Sequence, residues 1–226
     1  MREIILDTET TGLNFKGGDR IIEVACFELI NHIPSGNNLQ FYCSTSKKIT
    51  EEAIKIHGLT NDFLNNHPTF EEQVKKFLDF IKRDKLVIHN AEFDLGFINN
   101  ELNLIGEDRL KNEVTDTVSL ARKKLNTRIA NLDYLCRRFS IDLSNRKLHG
   151  ALEDCRLLSE VYIELLGGRQ TSLELAKQTQ KNRNQNEKKN ITPSAVNKII
   201  LTSEEIEKHK IFIKDLKNNI WNKSNN

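Results

Sequence analysis

The stretch EIILDTETTGL at residues 3–13 places the strongest constraint on the fold. Ile4, Ile5 and Leu6 form a short aliphatic run that predicts a buried β-strand. Asp7 and Glu9 follow two residues apart, so in a continued strand they project from the same face. Two adjacent carboxylates at the edge of a core repel each other and resist desolvation. The fold must therefore bring positive charge to this end of the strand.

Two further runs of β-forming residues follow the first strand. They cover Arg20–Leu29 and Leu39–Thr45, and the segment Asn31–Asn38 between them carries Pro34, Gly36 and asparagines, which are typical of a turn. Three consecutive strands of this kind predict an antiparallel meander.

Beyond the meander the pattern alternates between helices and a strand. The segment Thr50–Gly58 predicts a short helix with a threonine N-cap and a glycine stop, and TFEEQVKKFLDFIKRD has apolar residues at helical spacing. Lys85–Asn90 predicts a strand, Asp116 is placed to cap a helix, and three later segments predict helices: AEFDLGFINNELNLIG, NLDYLCRRF and HGALEDCRLLSEVYIELLGG. This order predicts an α/β fold, a mixed sheet flanked by helices.

The 226 residues are enough for one domain and an appendage. The α/β pattern occupies residues 1–168. Residues 177–190 contain no aliphatic, aromatic or cysteine residue, which predicts a flexible linker. Apolar residues return in 191–226, and we expect this tail to fold onto another protein.

Charge is distributed unevenly along the chain. Residues 169–226 have 12 Lys and Arg against 6 Asp and Glu, whereas residues 1–168 have 22 against 26. A mildly acidic body lacks the broad positive surface that supplies non-specific affinity for nucleic acid. If the substrate is a nucleic acid, we expect metal ions to offset the local negative charge and a partner to hold the substrate.

The composition argues against a membrane or secreted protein. Hydrophobic residues make up 38% and charged residues 29%, as in soluble globular proteins. No apolar run approaches the roughly 18 residues of a membrane span, and the early acids are unlike a secretory signal. We expect a cytoplasmic protein with no membrane partner. Its scattered cysteines form no C-x-x-C pair and are expected to be reduced thiols: Cys26, Cys43, Cys136 and Cys155.

Two more acids occur at predicted helix starts. Asp94 follows the strand LVIH, and Asp154 lies one turn inside the helix that begins after His149. Taken singly, each acid has a structural explanation, such as an early-turn acid favoured by the helix dipole or a surface ion pair. Together with Asp7 and Glu9 they offer the oxygen ligands that suit Mg²⁺ or Mn²⁺ rather than Zn²⁺.

Three blocks of the sequence resemble the DEDDh family of 3′→5′ exonucleases. They are LDTETTGL (6–13), VIHNAEFDLGF (87–97) and LHGALEDCRLL (148–158), and they contain the four acids and the histidine of the family name in order. The segments VTDTVSLAR, NLDYLCRRFSID and VYIELLGGRQTSL are similar to proofreading subunits of bacterial DNA polymerase III. The resemblance implies an RNase H-like exonuclease domain at residues 1–168 that removes mononucleotides from DNA 3′ ends.

The resemblance also implies a metal-dependent mechanism. Two divalent cations, Mg²⁺ or Mn²⁺, would lie about 3.5–4 Å apart, activate a water and stabilise the departing 3′-oxygen. The implied metal residues are Asp7, Glu9, Asp94 and Asp154: Asp7 would bridge the ions, Glu9 and Asp154 would complete the two sites, and Asp94 would act directly or through bound water. His149 would be the general base, because imidazole titrates near neutral pH.

The resemblance also implies residues that contact the terminal nucleotide of the substrate. For Glu52 and His57 a structural alternative stays open, because a first-turn acid and a last-turn histidine both suit the dipole of one short helix. Glu23 in the second strand is assigned no role. The implied substrate-binding residues are Asp7, Glu9, Glu52, His57 and Asp154.

Partner segments are expected outside the domain. Gln170–Leu175, within residues 169–176, resembles the short peptides that dock into a sliding clamp, although a frayed helix end is the alternative. By resemblance, the tail at 191–226 would bind the catalytic subunit of DNA polymerase III, and a further small subunit is left open. Tethering of this kind raises the effective concentration of a domain with low intrinsic affinity for DNA.

Two rival functions fit parts of the sequence. A stand-alone RNA 3′-trimming exonuclease would use the same chemistry, but it has no use for the linker and tail. A non-catalytic scaffold bridging polymerase and clamp would not need a cluster of costly acids.

Overall fold

The computed structural model describes residues 1–144, 146, 148–168 and 202–215. The chain divides into two compact units, Met1–Leu175 and Ala176–Asn226. The expected clamp-binding segment, the linker and most of the expected tail lie outside the described residues. Within the described part, no helix is both long and apolar enough to cross a membrane.

The first unit is built on a mixed five-stranded sheet with the order β3-β2-β1-β4-β5. β1, β2 and β3 are antiparallel neighbours, whereas β4 and β5 run parallel to β1. The meander and the mixed sheet predicted from the sequence are therefore confirmed. The strands are β1 (Arg2–Thr10), β2 (Ile21–Ile30), β3 (Ile33–Tyr42), β4 (Lys85–Ile88) and β5 (Val114–Asp116).

The predicted turn at Asn31–Asn38 is wrong. The turn consists of Asn31 and His32 alone, both at positive φ (52° and 64°), and β3 begins at Ile33. Two consecutive positive φ angles produce a tight turn whose twist matches that of the flanking strands. β3 is an edge strand, and its ladder with β2 shifts register between Pro34 and Asn38, as at a β-bulge, where proline and glycine are tolerated.

Helices flank the sheet, and their ends follow the caps that the sequence predicts. Thr50 accepts the N–H of Ala53, Gly58 ends the same helix in the left-handed conformation, and Asp116 accepts the N–H groups of Val118 and Ser119. The helices of the first unit are α1 (Glu51–His57), α2 (Asn61–Leu64), α3 (Phe70–Ile81), α4 (Ala91–Leu104), α5 (Thr117–Leu125), α6 (Leu132–Arg138) and α7 (Ala151–Leu165). In the second unit, α8 spans Ser203–Asp215.

The central strand β1 is buried on both faces. Ile4 and Leu6 pack into a core with α3 and α4, while Ile5 packs into a second core with α5, α6 and α7. A strand covered on both sides reads as a continuous apolar run, as residues 4–6 do. Because side chains alternate, the residues that follow Leu6 are also distributed between the two layers.

Candidate active site

The acids of β1 lie where its apolar run ends. Asp7 and Glu9 continue the alternation of Ile5 and project toward the layer that contains α7, whereas Thr8 projects toward α4. The ladder with β2 shifts register between Glu9 and Thr10, as at a β-bulge that ends regular pairing. Asp7 and Glu9 are partly buried.

Asp94 reaches the same strand end from the other layer. β4 pairs with β1 in parallel, so the carboxyl ends of the two strands meet, and α4 starts directly beyond β4. Asp94 lies in the first turn of α4 and is 3% exposed. Its Oδ1 accepts a hydrogen bond from the Thr8 hydroxyl at 2.7 Å.

Asp154 and His149 complete the cluster from α7 and the loop before it. Ligand atoms of Glu9, His149 and Asp154 all lie within 4.8 Å of one another. The His149 ring is half-exposed and its Nδ1 lies 3.1 Å from Asp154 Oδ2. The His149 loop is held by a backbone hydrogen bond from the His149 N–H to the Ile56 carbonyl at 3.0 Å. The structure thus brings together the four acids and the histidine that the sequence indicated.

Arg146 is a member of the cluster that sequence reasoning missed. Its Nε and Nη2 donate to the two oxygens of Asp154 at 2.7 and 2.6 Å, and Nη2 lies 2.7 Å from His149 Nδ1. Nη1 pairs with Asp133 of α6. The side chain is only 7% exposed, so its charge acts in a poorly solvated place. In the sequence, the feature that could have indicated Arg146 as a member of the site is its position three residues before His149.

Burial raises the pKa values of Asp7, Glu9 and Asp94, and repulsion from neighbouring carboxylates adds to the rise for Asp7 and Glu9. Burial, followed by repulsion from Asp94, Glu9 and Asp154, raises the pKa of Asp7 well above its ordinary value. Burial raises the pKa of Asp94 to about 7, although the hydrogen bond from Thr8 opposes the rise. Without added positive charge, these groups cannot all be ionised at neutral pH.

Glu9 is affected by a further carboxylate that was assigned no role. Burial and then repulsion from Glu23 raise the pKa of Glu9 to about 8. Glu23 is the cross-strand partner of Glu9 in β2, is 2% exposed and accepts a hydrogen bond from Gln40 at 2.7 Å. It therefore adds to the negative charge behind the cluster.

Asp154 is the exception. Burial would raise its pKa, but hydrogen bonds from His149 and Arg146 and the charge of Arg146 outweigh burial and lower it. Arg146 thus offsets the charge of Asp154, and no ion pair joins a cation to Asp7, Glu9 or Asp94 among the described residues. Converging carboxylate oxygens with one imidazole are a donor set for hard divalent cations, so the residues present fit such ions.

A cavity of about 180 Å³, here called the terminal cavity, opens beside Glu9. Glu52 is exposed, whereas His57 is buried. The N–H of Leu59 donates to His57 Nδ1 at 3.0 Å, so the proton of the neutral ring lies on Nε2. The terminal cavity is lined by Thr8, Glu9, Thr10, Gly12, Leu13, Thr50, Glu52, Ala53, Ile56, His57 and Phe93.

The alternative to a substrate role for His57 is a last-turn histidine favoured by the helix dipole, and this alternative depends on the charge of the ring. Burial lowers the pKa of His57, a backbone hydrogen bond with Thr10 opposes the decrease, and nearby His149 adds to it. A neutral buried imidazole gains little from the helix dipole. The lowered pKa favours the neutral ring, and for both His57 and Glu52 the structural alternative stays open beside the substrate role.

Comparisons with known proteins identify the family of the chain. A family model described as exonuclease matches residues 4–162. The DNA polymerase III subunit epsilon of Rickettsia felis is 41% identical over 222 residues, 96% of this chain and 97% of that protein. The protein of the same name from Escherichia coli K12 is 42% identical over 194 residues, 82% of this chain and 79% of that protein.

Solved structures show the same fold at low identity. The nuclease domain of 3′hExo, a DEDDh family member bound to rAMP, has a TM-score of 0.65 and 18% identity and covers 74% of this chain and 92% of that one. Exonuclease X in complex with 5′ overhanging duplex DNA has a TM-score of 0.58 and 22% identity, with 73% and 91% covered. The RNase H-like fold expected for the first unit is confirmed.

The pKa of Glu9 predicts how stability changes with pH in chelated protein. Between its ordinary value of 4.5 and about 8, the folded chain retains a proton that the unfolded chain has lost. The free energy of unfolding should therefore fall as the pH rises through this window. In thermal melts from pH 5 to 8, the Tm of Glu9→Gln should fall less than that of the wild type, because the titrating group is gone.

The matched control is Glu71→Gln, an exposed acid of α3, which should follow the wild-type curve. Added Mg²⁺ should raise the wild-type Tm more at pH 8 than at pH 6, because bound metal displaces the protons. Parallel curves for Glu9→Gln and the wild type would contradict the electrostatic account of the cluster.

Proposed function

The chain belongs to the exonuclease family, and on that premise we propose that it is a 3′→5′ exonuclease that removes mononucleotides from DNA 3′ ends, as the proofreading subunit of DNA polymerase III. Relatives named as DNA polymerase III subunit epsilon match nearly the whole chain and support this assignment. One observation carries the chemistry: four acids and a histidine, distant in sequence, meet beside a cavity.

The family generally uses divalent metal ions. For this chain we propose two ions, Mg²⁺ or Mn²⁺, with Asp7, Glu9, Asp94 and Asp154 as the residues that hold them. When bound, such a pair offsets the charge of the acids and stabilises the negative charge that develops on the attacking and leaving oxygens. The raised pKa values of Asp7, Glu9 and Asp94 support this assignment, because cations would make their ionised forms favourable.

His149 would act as the general base. With the proton of the neutral ring on Nδ1, His149 donates to Asp154 Oδ2, which orients the ring and leaves Nε2 to accept the proton of the attacking water. The half-exposed position of the ring allows the proton to pass on to solvent. Arg146 has a positioning role here, because it holds the Asp154 carboxylate that faces His149 Nδ1.

The terminal cavity would hold the 3′-terminal nucleotide. Glu52 offers a carboxylate that can accept from the 3′-hydroxyl, and the apolar Leu13, Ile56 and Phe93 offer surface for the sugar and base. His57 would contact the nucleotide through its buried ring, whose neutral form carries the proton on Nε2. Asp7, Glu9 and Asp154 would contact the scissile phosphate through the bound ions.

The remaining parts of the chain would connect the domain to the replication machinery. We propose that Gln170–Leu175 docks on the sliding clamp and that the tail at 191–226 binds the polymerase catalytic subunit. Within the tail, α8 exposes Ile206, Ile211 and Phe212, which supports a partner for this helix. A further small subunit is left open. The location would be the cytoplasm, where bacterial DNA is replicated, and all four cysteines are buried and free.

Degradation of a 3′-labelled single-stranded oligodeoxynucleotide tests the catalytic assignment. The wild-type chain should release labelled mononucleotide, and a chelator should stop it. Asp7→Asn should abolish release in both Mg²⁺ and Mn²⁺, because it removes a proposed ligand of both ions. His149→Ala should lower kcat by about 10²–10⁴-fold while retaining metal binding. Asp79→Asn, an exposed acid of α3, is the control with the same charge change. An active Asp7→Asn variant would overturn the metal assignment.

Substrate selectivity separates proofreading from RNA trimming and from a scaffold. The chain should degrade single strands and mismatched 3′ ends faster than matched duplex ends, because matched ends must melt before they enter the site. Deoxyribo-oligomers should be degraded at least as fast as ribo-oligomers of the same sequence. Faster cleavage of RNA would favour the trimming enzyme, and no cleavage of either would favour the scaffold.

A further inference from the structure

The first unit has a second charge asymmetry that its net charge hides. Residues 117–149 contain eight Lys and Arg but only two Asp and Glu. The rest of residues 1–168 contains 14 basic against 24 acidic residues. The segment includes α5 and α6 and ends at His149, and two of its cations, Arg137 and Arg146, line one groove together with His149. A local positive region of this kind attracts polyanions even when the whole domain is acidic.

A groove of about 450 Å³, here called the basic groove, lies in this region. Lys55 of α1, Arg137 of α6 and Arg146 line it, and His149 is part of its wall. Ile56 and Leu148 also line it and are about half-exposed, at 48% and 52%. Cations together with exposed apolar side chains match a nucleic-acid strand, which presents both phosphates and base faces.

Two of the three cations are available for a ligand. Arg146 is committed to Asp133 and Asp154. Lys55 is exposed and has no ion pair within the described residues. Arg137 is 74% exposed and its one ion pair among the described residues is a long surface pair with Asp133, at 3.7 Å, which contributes little. Lys55 and Arg137 are therefore the groups that can each meet a phosphate at little cost.

The basic groove and the terminal cavity share a wall. Ile56 lines both, and the His149 loop is hydrogen-bonded to the Ile56 carbonyl. A strand whose last nucleotide occupies the terminal cavity can therefore cross Ile56 and enter the groove directly. Resting on the proposed function, we propose that the basic groove binds the DNA strand 5′ of the scissile bond, and that Lys55 and Arg137 contact two of its backbone phosphates.

The test compares substrates of increasing length with the full 226-residue chain. The 4-nitrophenyl ester of thymidine 5′-monophosphate carries no upstream phosphate, so its hydrolysis reports the proposed function without the groove. For oligodeoxythymidylates of two to sixteen nucleotides, the wild-type KM should fall with length until the groove is filled. In Lys55→Ala/Arg137→Ala this decrease should be largely lost, with KM for the sixteen-mer raised about fivefold for each cation at low salt.

Salt dependence provides a readout that a merely structural defect would not change. The slope of log KM against log salt concentration should fall by about 0.7 for each phosphate contact removed from a single strand. Lys55→Arg/Arg137→Lys should restore both the length and the salt dependence. Lys75→Ala/Lys76→Ala in α3 removes the same charge from the opposite layer and should leave both unchanged.

Two results would overturn the groove assignment while leaving the proposed function intact. One is an unchanged length dependence and salt slope in Lys55→Ala/Arg137→Ala. The other is an equal effect of the α3 control, which would indicate general attraction rather than a defined groove. Failure of the wild-type chain to hydrolyse the nitrophenyl ester would instead contradict the proposed function.

Discussion

Repulsion among buried carboxylates is the constraint on which the rest of this structure depends. Asp7, Glu9 and Asp94 are forced together at one strand end, and burial raises the pKa of each. The fold holds them there because β1 is packed on both faces, so its terminal residues cannot move away to solvent. An arrangement that is unfavourable for the metal-free chain would become favourable with the proposed divalent cations bound, since the ions would supply the missing charge.

Local sequence signals were sufficient for most of the framework. Thr50, Gly58 and Asp116 mark helix ends through hydrogen bonds with near neighbours, so their roles can be predicted without tertiary information. The acids and His149 were recognisable because their spacing matches a family pattern. The predicted extent of the turn between β2 and β3 was wrong for a physical reason. Pro34 and Gly36 are typical turn residues, but an edge strand tolerates both.

Contacts between distant elements could not be predicted in this way. The guanidinium of Arg146 joins Asp133, His149 and Asp154, and only the folded loop brings these groups together. Glu23 looks like an ordinary strand residue until β1 and β2 pair and place it opposite Glu9. The short β5 and α2 lack a strong period and are ordered by packing against the sheet and the neighbouring core. In each case the interaction depends on tertiary packing rather than on a local pattern.

Direct counting of bound ions tests the central claim, that these acids form a site for a pair of divalent cations. Mn²⁺ added to the metal-free chain can be followed by the loss of the electron paramagnetic resonance signal of the free ion. The account predicts two Mn²⁺ per wild-type chain and a loss of both from Asp7→Asn, because Asp7 would contact both ions. Absence of binding to the wild type, or equal binding to Asp7→Asn, would contradict it.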